Sequence, residues 1–362
     1  MVSVVVPVKN GGLYLDRALT TALEQSLRDL EVIVVDDGST DDSASIAHRR
    51  AAEDARVRYV EATGAGVAAA RNQGIELARS DLIAPLDADD LWFPAKLERQ
   101  VHRLEECGPD FAVAYSWAYL VDADDRIIGA SLPFDARTMR RLEGDVFLPL
   151  LYKCFTGGSH VLIRRSCAQA VGGYDSALDR REDYDLMIRL AERFLFALVP
   201  AFLQAYRQTP TSRSHGEVEL LGAHDKILDR VLRNGHRPVP RPVRRWSRSE
   251  SYAYASARCK DSGRTLAALK LFAQAVVRDP AQLLRTAAWR AGAGSLGTKV
   301  LRRTPPLGAR VDPTRAPPDS LASRPQWWPH RIPTPYEWLE RRRFLLLQRW
   351  AARATTPGPA RH

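Results

Sequence analysis

Short runs of apolar, mostly β-branched residues alternate with amphipathic segments along the first 90 residues of the chain. Four runs have the length and composition of buried strands: residues 3–8, 31–35, 57–60 and 82–86. Between these runs apolar residues recur at helical spacing, for example over residues 15–23. Strands that alternate with helices predict a parallel α/β sheet, in which ligands collect at the carboxyl ends of the strands.

The middle of the chain continues this pattern with further strands and with turns rich in Gly and Asp. Four more strands are predicted there: residues 111–121, 161–163, 196–199 and 202–206. Turns are predicted at 122–125 and 172–175, and a segment that begins with acidic residues becomes helical from about residue 182.

The composition changes after about residue 225. A Pro/Arg run at 237–242 is typical of a linker. Residues 250–280 predict a helical hairpin, either one tetratricopeptide-like repeat or a plain hairpin. We therefore predict three parts: an α/β domain over 1–225, an α-helical region over 226–303, and a basic Pro/Arg-rich tail over 304–362. The tail is predicted to be mobile over 304–335 and to end in an amphipathic helix at 337–353.

The overall composition is that of an ordinary globular protein. Of the 362 residues, 45% are hydrophobic and 27% are charged, and no apolar run is long enough to span a bilayer. The first residues lack a basic segment and a cleavage site, so they predict a first strand and not a signal peptide. The four cysteines are scattered and predict reduced thiols in a cytoplasmic protein, with no zinc site.

The charge is unevenly distributed along the chain. Residues 231–362 contain 26 Lys and Arg against 7 Asp and Glu, a net charge of +19, whereas residues 1–230 carry −9. A basic part of this kind fits an anionic membrane surface, or it docks on the acidic part of the same chain. Nucleic acid is not expected as a partner, because no nucleic-acid-binding motif accompanies the charge.

Three carboxylates within four residues follow the fourth predicted strand. Asp87 and Asp89 alternate in an extended segment, so both side chains can point the same way from its end. Two carboxylates held that close repel each other unless a cation lies between them. A hard cation such as Mn2+ or Mg2+ accepts carboxylate oxygens and keeps positions for phosphate oxygens. The pattern therefore predicts a metal–diphosphate site, although an isolated Asp-x-Asp is also typical of an acidic surface turn.

Five motifs stand in a fixed order along residues 1–215. They are Val-Val-Val-Pro-Val-Lys-Asn at 4–10, Val-Asp-Asp-Gly-Ser at 35–39, Ala-Arg-Asn-Gln-Gly at 70–74, Leu-Asp-Ala-Asp-Asp at 86–90, and Arg-Glu-Asp-Tyr-Asp-Leu-Met-Ile-Arg at 181–189. Together they closely resemble the family 2 inverting glycosyltransferases. The resemblance implies the GT-A fold, a Rossmann-like α/β fold with a mixed, mostly parallel sheet flanked by helices, here with a small C-terminal α-helical region.

The resemblance also implies a role for each matching residue. Asp37 and, with less support, Asp36 match the acid that binds the nucleotide base, and Pro7 lines the nucleotide pocket through its backbone. Arg71 matches the basic residue beside the diphosphate. Asp87 matches the carboxylate near the ribose and the metal, and Asp89 the direct ligand of Mn2+ or Mg2+.

The last motif implies the acceptor side of the site. Asp183 matches the general base that takes the proton from the acceptor hydroxyl. Glu182 beside it hinders the ionisation of both acids and so raises the effective pKa of the pair. Tyr184 and Trp92 are candidates for stacking on acceptor sugars, and core packing is an equal alternative for both rings.

One position departs from the family pattern. Many relatives have a His three residues after the Tyr of the last strand, where it helps to hold the metal, and this chain has Thr209 there. His215 is a candidate substitute, and otherwise diphosphate oxygens and water complete the metal shell.

The resemblance implies an enzyme that uses UDP-, GDP- or dTDP-sugars and a glycan or lipid-linked acceptor, in polysaccharide or lipid-linked glycan synthesis. We place it in the cytoplasm. The helix at 337–353 would either contact the inner face of the plasma membrane or dock on the catalytic domain. An inactive transferase-like scaffold and a nucleotidyltransferase are the alternatives.

Overall fold

The computed structural model describes residues 1–62, 64–131, 138, 141–178, 180–208, 216–284, 308–314 and 335–355. The strands are β1 Val2–Val8, β2 Leu30–Asp36, β3 Val57–Glu61, β4 Leu82–Pro85, β5 Leu91–Trp92, β6 Phe111–Val121, β7 Ile127–Ser131, β8 Val161–Arg164 and β9 Leu195–Arg207. The helices are α1 Gly12–Leu23, α2 Ser43–Glu53, α3 Val67–Leu77, α4 Lys96–Cys107, α5 Phe147–Tyr152, α6 Arg165–Ala170, α7 Glu182–Ala191, α8 Glu217–Asn234, α9 Arg241–Asp261, α10 Thr265–Arg278 and α11 Pro335–Thr355.

The strands form one mixed sheet, as expected for the GT-A fold. Its order within the described residues is β3-β2-β1-β4-β8-β6-β9-β5, and β7 pairs with the free part of β6. The pairs among β3, β2, β1 and β4 are parallel, and so is the pair of β6 with β9. Strand β8 runs antiparallel to both β4 and β6 and joins the two parallel groups.

Helices cover both faces of the sheet, which explains why β1 and β2 are apolar on both sides. Val4 and Val6 face one core with Leu15 and Leu19 of α1, whereas Val5 faces a second core that lies under α3 and α7. Every residue of β1 and β2 is buried. Continuous apolar strands of this kind are typical of the covered parallel part of an α/β sheet.

One sequence-based prediction fails at the last strand. The runs at 196–199 and 202–206 belong to the single strand β9, although a Pro separates them. Pro200 is exposed, and the register of β9 against β6 shifts between Val199 and Phe202. A bulge at this point accommodates the missing N–H, so the strand continues through the proline.

A second correction concerns the predicted linker. Helix α9 begins at Arg241, so the end of the 237–242 run lies in its first turn. Pro242 does not prevent this, because the first turn of a helix needs no N–H donor there. Before the helix, Arg237 pairs with Asp145 at 2.6 Å and ties the run to the α/β part.

Helices α9 and α10 pack against each other as the predicted hairpin, and α11 packs on α5. In α11, Phe344, Leu347 and Ala351 are buried, and Arg343 forms two 2.7 Å hydrogen bonds to Asp279. The helix is therefore docked on the rest of the chain, which was one of its two predicted fates.

Most of 304–335, predicted to be mobile, lies outside the described residues. Of the helices that are described, none combines the length and hydrophobicity that crossing a bilayer requires.

Candidate active site

The candidate site lies where the parallel strands end. Strands β2, β1 and β4 are neighbours in this order and run parallel, so their carboxyl ends lie at the same edge of the sheet. Val8 ends β1, Asp36 ends β2, and Asp87 follows β4 by two residues. After β4 the chain turns at once, and Asp90 N–H donates to the carbonyl of Asp87 at 3.0 Å. The turn directs the carboxylates of Asp87, Asp89 and Asp90 into this edge.

Arg71 of α3 links two motifs that lie far apart in the sequence. Its guanidinium donates to Asp87 at 2.6 Å and to Glu182 at 2.7 Å, and it lies 5.2 Å from the ring centre of Tyr174. The side chain is 5% exposed, so these charges interact in a medium of low polarity. Burial alone would lower the pKa of Arg71, but the facing carboxylates raise it, and the residue stays a fixed cation.

The next residue, Asn72, fixes the glycine turn in front of α7. Its side-chain amide accepts from Tyr174 N–H and donates to the Tyr174 carbonyl, both at 2.8 Å. Gly173 has φ +66°, and a Cβ there would lie 2.6 Å from the Asn72 oxygen, so only glycine fits. Helix α3 thus contributes two adjacent residues to the site. Arg71 contacts Asp87, and Asn72 holds the turn that precedes α7.

Two glycines bring Asp183 close to Asp87. Gly157 has φ +152°, and a Cβ on it would lie 2.7 Å from Asp183 Oδ2. A Cβ on Gly158, at φ +50°, would lie 3.3 Å from Asp87 Oδ2 and 3.7 Å from Asp183 Oδ2. Both carboxylate oxygens therefore lie close to one point beside the Gly157–Gly158 backbone, and the absence of side chains keeps that space open.

Three acids of this cluster, Asp183, Asp89 and Asp90, have raised pKa values. Burial first, and Glu182 second, raise the pKa of Asp183 to about 6, although Arg71 opposes the shift. Burial and the neighbouring Asp87 raise the pKa of Asp89 to about 6 as well. Burial, Asp89 and Asp87 raise the pKa of Asp90 well above its ordinary value. A carboxyl with a pKa near 6 is suited to accepting a proton at neutral pH.

Ser159, which the sequence analysis did not single out, holds the acidic turn in place. Its hydroxyl accepts from Asp87 N–H at 2.9 Å and donates to Asp90 at 2.5 Å. The indole N–H of Trp92 donates to the Ser159 carbonyl at 3.2 Å. The segment that opens the space beside Asp183 therefore also fixes the Asp87–Asp90 turn.

Arg207 at the end of β9 anchors the same turn from the other side. The side chain is 1% exposed and donates to the Asp89 carbonyl at 2.8 Å and to Asp125 at 2.5 Å. Its backbone N–H donates to Asp90 at 3.0 Å. Sequence analysis missed its role because each of these partners lies more than 80 residues away.

Replacing this anchor should destabilise the protein. We expect Arg207→Met to lower the free energy of unfolding by about 3–5 kcal/mol. The buried carboxylate of Asp125 retains the half-exposed Arg17 but loses its buried cation, and the carbonyl of Asp89 loses its donor. Denaturant unfolding followed by circular dichroism measures the change. Arg310→Met is the matched control: Arg310 is 72% exposed and lies 4.0 Å from the same Asp125, so we expect a loss below about 1 kcal/mol. Equal losses in the two variants would contradict the anchoring role.

The residues predicted to bind the nucleotide lie at the ends of β1 and β2. Asp37 accepts from the Gly66 N–H at 3.1 Å and lies 3.7 Å from Lys9. Asp36 accepts from the Ser39 N–H at 2.8 Å and from Tyr59. Both carboxylates are buried, and Pro7 is buried within β1. Their roles toward a nucleotide remain predictions.

Three residues predicted on the acceptor side are buried. Trp92 is 0% exposed, with the Lys96 ammonium 4.1 Å from its ring centre. Tyr184 is 2% exposed and donates to the carbonyl of Leu151 at 3.2 Å. Both rings lie in the core, as the alternative of core packing expects. Glu182 is also buried and is held by Arg71.

Other aromatic residues lie at the rim of the site. Tyr206 is half-buried. Burial raises the pKa of its phenol, and the pKa is raised further by Tyr254 of α9 and by the acids Asp90, Asp87 and Asp89. Tyr254 is 43% exposed. Arg181, in the left-handed region at φ +61°, lies 5.7 Å from the ring centre of Tyr254. The helical region thus contributes an exposed aromatic side chain next to the acids.

Two carboxylates, those of Asp87 and Asp89, are the protein ligands predicted for a metal ion. Within the described residues, no group of three or more His, Cys, Asp and Glu side chains is arranged to hold a metal ion. Thr209 and His215 lie outside the described residues. Asp87 and Asp89 repel each other, as the raised pKa of Asp89 indicates, and their oxygens are the donors that Mn2+ and Mg2+ prefer. The pair therefore fits a cation that takes its remaining ligands from the substrate and water.

Comparison with known proteins identifies the family. The family model described as glycosyl transferase family 2 matches residues 3–167. The succinoglycan biosynthesis protein ExoU of Rhizobium meliloti is 33% identical over 251 residues, which cover 65% of this chain and 70% of ExoU. The chain belongs to glycosyl transferase family 2. It spans only 27–58% of the length of several similar Rickettsia glycosyltransferases.

Solved structures agree with this family 2 assignment at the level of the fold. Staphylococcus aureus TarS 1–349, in complex with UDP-GlcNAc, is 17% identical with a TM-score of 0.56, over 83% of this chain and 85% of that one. The mannosyltransferase PcManGT of Pyrobaculum calidifontis, in complex with GDP-Man and Mn2+, is 22% identical with a TM-score of 0.52, over 80% of each chain. The predicted GT-A fold is therefore confirmed.

Proposed function

We propose that this family 2 protein is an inverting glycosyltransferase that moves a sugar from a nucleoside diphosphate to an acceptor hydroxyl. The observation that carries the proposal is the pair of acids beside Gly158. Asp87 and Asp183 belong to different elements, and their carboxylates lie close to one open point. Asp89 follows Asp87 in the same turn. A donor bound on the Asp87 side and an acceptor on the Asp183 side would meet there.

Each residue then has a separate task. Arg71 lies where it can offset the charge that develops on the departing diphosphate. Asp183 takes the proton from the acceptor hydroxyl. The hydroxyl oxygen forms a bond to the anomeric carbon while the bond between that carbon and the phosphate oxygen breaks. A single displacement of this kind inverts the anomeric configuration. Asp36, Asp37 and Pro7 hold the nucleotide in this proposal.

Asp89 and Asp87 would hold Mn2+ or Mg2+ together with diphosphate oxygens. When bound, the cation supplies neutralising charge to the leaving group. The Mn2+ in the PcManGT complex, a protein of the same fold, supports the choice of metal.

The acceptor side is built from the α/β part and from α9. Tyr254 and half-buried Tyr206 replace the buried Trp92 and Tyr184 as the aromatic surface for a sugar. Glu182 acts by holding Arg71 and raising the pKa of Asp183. Because ExoU is named for succinoglycan biosynthesis, we infer an acceptor in polysaccharide or lipid-linked glycan synthesis.

The base assignment predicts a pH dependence. Asp183 must be ionised to accept a proton, and its pKa is raised to about 6. At saturating metal, we therefore expect kcat to fall roughly tenfold per pH unit below about 6 and to level off above it. Glu182→Gln removes a neighbouring negative charge, so it should move this acid limb to lower pH. A limb that does not move in this variant would contradict the coupling of the two acids.

A donor panel tests the function itself. Purified protein is incubated with UDP-, GDP- and dTDP-sugars and Mn2+, and the released nucleotide is identified. We expect a nucleoside diphosphate from at least one donor, and none after chelation with EDTA. Release of pyrophosphate would indicate a nucleotidyltransferase, and no release from any donor would favour the inactive scaffold.

A further inference from the structure

Helix α10 presents three large apolar side chains to the outside of the molecule. Leu266, Leu269 and Val277 are 77%, 60% and 77% exposed, and with Ala273 they follow one another at intervals of three and four residues. Residues at this spacing share one face of a helix. We call this face the α10 stripe.

The opposite side of α10 is built from small residues. Ala268 and Ala275 are buried, and their carbonyls accept from Ser256 and Ser249 of α9 at 2.7 and 2.9 Å. An amphipathic helix ordinarily turns its large apolar residues to the core. Here Ala268 and Ala275 allow close packing on α9, and Leu271 and Phe272 are half-buried beside them. Leu266, Leu269 and Val277 remain exposed. An exposed apolar face of this kind is a candidate interaction surface.

The apolar surface continues beyond the helix and is flanked by positive charge. Leu283 and Leu284 are 53% and 40% exposed. Lys270 is exposed within the stripe. Within the described range 262–284 the chain has three Lys and Arg, namely Arg264, Lys270 and Arg278, and a single acid, Asp279. That acid is buried and paired with Arg343 at 2.7 Å, so no acidic side chain is exposed over 262–284.

We propose that the α10 stripe binds the surface of an anionic lipid membrane. Apolar side chains beside Lys and Arg are what a helix lying in the headgroup region requires. Basic side chains near such a surface are attracted to its anionic headgroups. In a two-fold dimer a second copy would bring the same positive charge against the stripe and be repelled. An anionic bilayer is complementary to the stripe in both charge and polarity.

The C-terminal helix is not this surface. The sequence suggested membrane contact through 337–353, but Phe344 and Leu347 of α11 are buried and Trp350 stacks on Trp246 of α9. Of the large apolar residues of α11, Leu345 is exposed at 45%. Docking of α11 uses most of the apolar face that a membrane helix would need.

The position of the stripe relates it to the candidate site. Helix α9 contacts α10 on one side and carries Tyr254 beside Arg181 at the rim of the acids. A membrane held by α10 would therefore meet the molecule near the acceptor side, which suits a lipid-linked acceptor. That substrate class rests on the proposed function, whereas the membrane binding does not and is measured without any sugar.

Flotation with lipid vesicles tests the proposal. The full chain is mixed with vesicles of phosphatidylcholine containing about 30% phosphatidylglycerol, or with phosphatidylcholine alone. We expect flotation with the anionic vesicles and much less with the neutral ones. The triple variant Leu266→Gln/Leu269→Gln/Val277→Gln should lower the partition coefficient at least about tenfold. Glutamine is a good helix former and these side chains are exposed, so an unchanged circular dichroism spectrum and melting temperature are expected.

The matched control lies on α11: Arg342→Gln/Leu345→Gln/Arg349→Gln removes exposed charge and an exposed leucine from the other basic helix. It should float nearly as well as the wild type. The proposal is overturned if the α10 variant floats like the wild type, if the α11 variant alone loses flotation, or if the wild type does not float. It is also overturned if light scattering shows a dimer that the α10 variant dissociates. Release of nucleoside diphosphate from the donor is measured on the same samples. A loss of membrane binding can then be told apart from a loss of the proposed activity.

Discussion

Asp183→Asn should lower the rate of sugar transfer by roughly 100- to 10,000-fold, the usual contribution of a general base. The substitution keeps the shape of the side chain and removes the proton acceptor next to the Gly157–Gly158 backbone. Donor binding should be nearly unchanged, because Arg71 contacts Asp87 and Glu182 and does not depend on Asp183. Transfer rates and the Kd for the nucleoside diphosphate, measured on the same preparation, separate the two effects.

A stability measurement distinguishes this role from a structural one. The pKa of Asp183 is about 6 in the folded protein against an ordinary value of 3.8, so its ionised form disfavours folding. The wild type therefore loses stability relative to Asp183→Asn as the pH rises from about 4 to 6, and the difference then stays constant. In metal-free buffer at pH 8, we expect the variant to melt at a higher temperature than the wild type.

Asp185→Asn, two residues further along the same helix, is the matched control. Asp185 is fully buried and pairs with Arg189 at 2.6 Å and with Arg230. Its replacement breaks a buried ion pair and should lower the melting temperature. If Asp183→Asn instead behaved like Asp185→Asn and still transferred sugar, Asp183 would be a structural residue and Glu182 would become the candidate base.

Asp89→Ala should reduce transfer by about 100-fold or more, because a metal ion supplies several kcal/mol of charge stabilisation. The carboxylate projects from the turn that Ser159 and Arg207 hold, so the change should leave the turn in place. In the wild type Mn2+ should tighten nucleoside diphosphate binding, and EDTA should reverse this. In the variant both effects should be small. Calorimetric titration with and without Mn2+ measures them directly.

Asp81→Ala controls for the loss of a carboxylate at the other end of β4. Its side chain is 99% exposed and lies 3.6 Å from Arg165, so we expect unchanged transfer and unchanged metal dependence. Full activity of Asp89→Ala, or full activity of the wild type in EDTA, would rule out the metal role assigned to Asp89.

The strands and the ends at which the site lies could be predicted from the sequence, because β-branched runs followed by Asp or Gly are local signals. Val4 and Val6 on one face of β1 and Val5 on the other illustrate how directly such a pattern specifies burial. The order of five motifs then identified Arg71, Asp87 and Asp183 as members of one site before their contacts were known.

The contacts that fix the site could not be predicted in this way. Ser159 and Arg207 act through partners about 70 to 120 residues away, and no local pattern marks them. An aromatic residue within a motif suits either a sugar or a core, and packing decided this for Trp92 and Tyr184. Pro200 suggested a break between two strands, whereas a bulge in β9 accommodates it. The apolar residues of α11 suited either a membrane or the rest of the chain, and the burial of Phe344 and Leu347 decided for docking. The exposed stripe of α10 was not predicted.

The stereochemistry of the reaction tests the central claim most directly. With the donor that the panel selects, water serves as the acceptor, and proton NMR follows the anomeric signals of the released sugar before mutarotation. A single displacement assisted by Asp183 predicts that an α-linked donor gives the β-anomer first, and that Asp183→Asn slows its appearance. If the α-anomer appears first, the reaction retains configuration, and the account of one displacement with Asp183 as base is wrong.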